Sequence, residues 1–184
     1  MEIKITTRQI LKILYVLSWI IFVGVCVEAG GIIFNAFYAL VINPAGAKHF
    51  WEQIDLSDLF QHDRGYFFVE TFIMSIVAVM RALLFYLIIK ILHDKKLDMA
   101  QPFNREVGRF VFNVSYLALG IGMFSYWGVK YAAWFVKQGV KMPDIQYLRL
   151  GGADVWLFMG VTLYVIAQIF KRGIEIQTEN ELTV

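Results

Sequence analysis

The chain has 184 residues, of which 59% are apolar and only 17% charged. A soluble domain of that size needs more charge to cover its surface, so the expected solvent is a bilayer. A net charge of +2 by itself argues nothing about nucleic acid, and no direct nucleic-acid partner is expected, while a single cysteine, Cys26, excludes an intramolecular disulfide, a cysteine metal site and paired-thiol redox chemistry.

The first apolar run follows Lys4, Arg8 and Lys12 and is interrupted only by Glu28 before Asn43-Pro44. It is too long for a secretory signal and has no small-residue cleavage site close behind it, so it reads as a retained span over roughly 12–42. Cys26 inside it reads as a small packing residue. Lys48 to Phe60 then mixes Phe50, Trp51, Ile54, Leu59 and Phe60 with Glu52, Asp55 and Asp58. That pattern predicts a short interfacial helix in the first outer loop, or else a cap packed on the bundle. Further spans are expected over roughly 67–91, 109–134 and 153–171, with a loop at 92–108 and a tail at 172–184. No repeat or low-complexity tract is present. The expected fold is all-α: one integral membrane four-helix bundle, because each span must satisfy its own backbone groups.

Ten Lys and Arg flank one side: Lys4, Arg8, Lys12, Lys90, Lys95, Lys96, Arg105, Arg109, Lys171 and Arg172. Six lie in the other two connections. The bias predicts that both termini and the 92–109 loop are cytoplasmic.

Ionisable residues inside a bilayer are functional candidates. Counting from the cytoplasmic ends at ~1.5 Å per residue puts Arg81 near the midplane and Glu28 about 10 Å further out. Gly24, Glu28, Gly31 and Asn35 share one helix face; Glu70, Met74, Val77, Arg81 and Phe85 share another. These faces are expected to meet, with the two glycines allowing close approach and Glu28 and Arg81 forming a buried ion pair. Glu70, Asp154 and Lys130 are candidates for an outer polar cavity. His49, His62 and His93 lack ligand spacing, and no metal or cofactor is expected. No nucleophile–base motif is present, so no enzyme activity is expected. Gly120 and Gly122 read as packing residues. Tyr126, Trp127, Tyr131 and Trp134 read as an interfacial aromatic belt.

After Lys171-Arg172, Gly173 reads as a helix stop, and Ile174 and Ile176 alternate with polar residues in a strand-like tail. Two motifs here occur together: Gln101-Pro102-Phe103, and the ending Gly173-Ile174-Glu175-Ile176-Gln177 with Glu179-Asn180-Glu181-Leu182-Thr183-Val184. Together they resemble a bacterial four-span membrane family, domain of unknown function 2975. The family usually has Gly where this chain has Ala100. The resemblance implies a bacterial inner-membrane location and no established activity. Its members often lie beside a small helix-turn-helix regulator, which implies a regulatory or interaction protein with a soluble cytoplasmic partner. On that reading Pro102, Phe103, Glu175, Gln177, Glu179, Asn180 and Leu182 are the partner-binding candidates. The alternative is a small transporter, channel or sensor for a cation or small polar ligand. The pattern leaves oligomerisation open.

Overall fold

Four helices are long and apolar enough to cross a membrane, and a computed structural model shows how they pack. It describes residues 7–94 and 104–181. Helix α1 (Thr7–Phe37) ends in a π turn, Tyr38–Ile42. A short helix α2 (Ser57–His62) precedes α3 (Arg64–His93), α4 (Arg105–Lys137) and α5 (Ala153–Glu181). The caps are local. Asp63 accepts from the Tyr66 N–H at the start of α3, and Asn104 from the Val107 N–H at the start of α4. Contacts run in chain order: α1 on α3, α3 on α4, α4 on α5. Four antiparallel spans put both ends of the described chain on one side of the membrane, here the terminal side. The opposite side carries the two longer connections and is the loop side.

Most exposed apolar residues, such as Ile20, Phe34, Phe72, Phe158 and Ile169, lie on the spans. In a membrane protein this is the lipid face. Cys26 lies on it too, exposed on α1 rather than packed.

Helices α4 and α5 approach closely enough for backbone contact. A Cβ on Gly122 would come within 2.9 Å of the Leu157 backbone N, and one on Gly160 within 2.8 Å of the Leu119 N. These reciprocal glycines let the two backbones touch, as small residues do between membrane helices. Gly120 of the G-x-G pair faces the Met80 side chain of α3. The glycines expected to join α1 to α3 behave differently. Gly24 faces open space, and the place beside Gly31 is filled by the Trp51 ring.

The connection over 43–63 is not one amphipathic helix. Pro44–Ala47 forms a single 3-10 turn and Trp51–Gln53 a tight turn through non-helical Glu52, followed by α2. Ala47, Phe50, Ile54, Leu56, Leu59 and Phe60 are all buried in the main core, with Phe50 and Phe60 edge-on to Phe67. The capping alternative therefore describes this segment: its apolar residues turn inward onto the bundle. An Asx turn, in which Asp55 accepts from the Ser57 N–H and hydroxyl, starts α2. Those two bonds hold the Asp55 carboxyl below its ordinary range.

The second long connection also folds back. Leu148 and Leu150 are fully buried, and Leu150 lies against Gly128, nine residues before the end of α4. The segment therefore returns along α4 by about 13 Å at helix rise.

On the terminal side, Gly173 does not stop the last helix: α5 continues to Glu181, so the tail is helical up to there. Glycine inside a helix costs ~1 kcal/mol relative to alanine. Packing of Ile174 onto Gly108 of α4 and an i,i+3 bond from Arg172 to Glu175 at 3.1 Å offset that cost.

Replacing Gly160 by Leu should force α4 and α5 apart and cost about 1–3 kcal/mol of stability. Gly30→Ala, where nothing lies within 4 Å, should be neutral or slightly stabilising. Thermal unfolding in detergent checks both.

Candidate functional site

Polar side chains gather where the two folded-back connections meet α1 and α3. Arg149 is the hub. Its Nη2 donates to Glu52 Oε2 at 2.8 Å, and its Nε lies 3.4 Å from Glu28 Oε1. One cation thus joins the tip of each connection to α1. The tips are strained to make this contact. Glu52 and Arg149 are the non-glycine residues with positive φ among the described residues, at 54° and 58°. Each sits in the left-handed region that L side chains disfavour. The turn around Glu52 is closed by the Phe50 N–H donating to the Ile54 carbonyl. The turn around Arg149 is closed by the Leu150 N–H donating to the Ile145 carbonyl.

Arg81 lies beside this hub. Helix register explains why. Tyr15 meets His93 and Phe22 meets Tyr86 across α1 and α3. Continuing that antiparallel pairing sets Glu28 level with Met80 and Arg81. The 10 Å offset expected from counting is absent, because in this register Lys12 starts about 9 Å, nearly two turns, nearer the terminal side than Lys90. Arg81 is within electrostatic range of both Glu28 and Arg149, and its guanidinium sits 5.8 Å from the Trp156 ring centroid of α5. The direct ion pair of Glu28 is with Arg149.

Several buried polar atoms here have no hydrogen-bond partner: Glu28 Oε1, Trp51 Nε1, Arg81 Nε and, on α4, Ser125 Oγ. The Glu28 oxygen makes its ion contact with Arg149 without hydrogen-bond alignment. Glu70 is the extreme case. It is fully buried on α3, neither carboxylate oxygen is hydrogen-bonded, and Tyr131 of α4 lies within its electrostatic range.

The other expected outer-cavity residues do not join it. Lys130 is exposed, with its Nζ 5.4 Å from the Tyr126 ring centroid. Asp154 is exposed in the first turn of α5, where a carboxylate complements the helix dipole. Tyr131 and Trp134 stack on each other and meet Tyr66 and Phe135 in an aromatic cluster rather than a simple belt. Among the described residues no group of three or more His, Cys, Asp or Glu side chains could hold a metal ion.

Of the partner candidates, Glu175, Gln177 and Glu179 lie on the helical end of α5. Pro102, Phe103, Leu182 and the side chain of Asn180 fall outside the described residues. Sequence reasoning missed Arg149 and Trp51 as site residues. The available signal was an isolated arginine between Leu148 and Leu150 just before Gly151-Gly152.

Glu28 is only 23% exposed and Arg149 41%, so this pair lies between a surface pair worth up to ~1 kcal/mol and a buried one costing ~3–5 kcal/mol to break. Arg149→Gln should therefore cost about 2 kcal/mol, and Glu52→Gln less than about 1 kcal/mol. Adding Glu28→Gln to Arg149→Gln should recover part of the loss, since it removes the stranded charge. Unfolding midpoints of the single and double variants measure this coupling.

No curated protein and no solved structure matches the chain. The family model DUF2975, described as a protein of unknown function, matches residues 51–184. That stretch begins at Trp51 and takes in Glu52, Glu70, Arg81 and Arg149. This multi-pass membrane protein therefore belongs to the DUF2975 family.

Proposed function

We propose that this protein is a regulatory or interaction protein of the bacterial inner membrane, with both ends cytoplasmic, that receives a soluble partner on its terminal side. The excess of Lys and Arg on that side supports the orientation. The observation that carries the partner reading is the continuation of α5 as a helix beyond Lys171-Arg172 to Glu181. This extension is anchored through Ile174 on Gly108 and leaves Ile176, Thr178 and Glu179 exposed. An anchored helix with an exposed apolar residue among polar ones suits recognition by a groove. The family resemblance favours a small helix-turn-helix regulator as the partner, with the membrane protein itself making no nucleic-acid contact.

Removing residues 173–184 would also remove Ile174 from α4, so point changes make the cleaner test. Ile176→Asp with Glu179→Lys should abolish co-purification of the helix-turn-helix regulator from native membranes while membrane insertion and thermal stability stay unchanged. Undiminished co-purification removes the reading.

The buried, unpartnered Glu70 supports a second reading, a small transporter, channel or sensor for a cation or polar ligand. Under it, Glu70→Gln abolishes cation flux in proteoliposomes without loss of stability. If the charge is only a burden on the core, the same change leaves flux untouched and raises the unfolding temperature.

A further inference from the structure

The terminal-side ends of α4 and α5 enclose a groove of about 390 Å³. Arg105 and Arg109 enter it from successive turns of α4, and Lys171 enters it from α5. All three side chains are exposed, and among the described residues none has a carboxylate partner. Like charges one turn apart repel, and with Lys171 the two arginines concentrate positive charge in this groove; Glu106 lies on the adjoining groove with Arg109, not on this one. The one acid on the wall is Glu175, and its Oε2 is already engaged by Arg172 Nη1 at 3.1 Å. The Thr178 hydroxyl donates to the Ile174 carbonyl. The positive end of the α4 dipole adds to the same field.

The floor is apolar. Gly108 lies there, and a side chain at that position would crowd Ile174 Cδ1 at 3.2 Å. Phe112 continues the floor toward the hydrocarbon, held edge-on by Tyr164. The groove is thus cationic at its membrane-surface mouth and apolar toward the bilayer interior. We infer that it is a binding site for the phosphate of an anionic phospholipid, whose headgroup meets Arg105, Arg109 and Lys171 while its chain runs over Phe112. Guanidinium forks suit phosphate oxygens, and basic pockets between membrane helices take anionic headgroups. The site needs no soluble partner and works in either membrane orientation.

The test uses the full chain purified in detergent, titrated with phosphatidylglycerol or phosphatidylcholine and read by native mass spectrometry. Wild type should retain one phosphatidylglycerol at least tenfold more tightly than phosphatidylcholine. Arg105→Gln, Arg109→Gln and Lys171→Gln together should erase that preference. Lys12→Gln with Lys90→Gln, which removes two terminal-side cations outside the groove, should leave it intact. If the triple variant does not fold, Arg105→Gln alone should weaken phosphatidylglycerol by about threefold. Inorganic phosphate in millimolar excess separates the sources: release of the lipid assigns the site to phosphate from either source, and retention assigns it to the whole headgroup. Equal binding of the two lipids by wild type overturns the inference. So does an equal loss in the Lys12 and Lys90 control, which would mean a diffuse belt of charge.

Discussion

Arg149, late in the chain, binds two acids from its first third, and the loop-side half of the molecule is arranged around that contact. Glu28 supplies a fixed point on α1, Glu52 the tip of the cap, and Arg149 the tip of the returning connection. Two residues hold left-handed backbone geometry to meet there. Such geometry persists only where the surroundings determine it. Here they do: Phe50, Ile54, Leu148 and Leu150 are all buried beside the tips. The apolar packing places the loops, and the charges fix their register.

The four spans were legible in the sequence because bilayer thickness imposes a length on every apolar run, and a run of that length has few other uses. Helix ends were less legible. Gly173 followed by Ile174 and Ile176 reads as a stop and a strand when neighbours are unknown; the notch at Gly108 that receives Ile174 lies some 65 residues earlier in the chain. The cap was ambiguous for a related reason. An amphipathic pattern states that one face is apolar but not whether lipid or protein covers it. Trp51 settles the matter by filling the place beside Gly31.

The site was half legible. Glu28, Glu70 and Arg81 stood out because charge inside a span is costly. Arg149 did not, since it lies outside every apolar run and a loop arginine ordinarily faces water. Its role depends on the connection folding back along α4, which no local pattern encodes. The depth of Glu28 relative to Arg81 was misjudged for a similar reason. Counting from the nearest lysine assumes that all basic flanks sit at one height, whereas the aromatic contacts of Tyr15 and Phe22 set the actual register.

The distance in sequence between Glu28 and Arg149 has a consequence during synthesis. The two are more than a hundred residues apart, so at roughly 5–20 residues per second the acid precedes its cation by about ten seconds. Until the second span is made, the first helix must carry this acid into lipid without a cationic partner. Arg81 arrives about midway, from the helix that packs directly on α1. A nascent chain thus meets a temporary guardian for Glu28 before the permanent one emerges, and the late-made loop completes what the earliest span began.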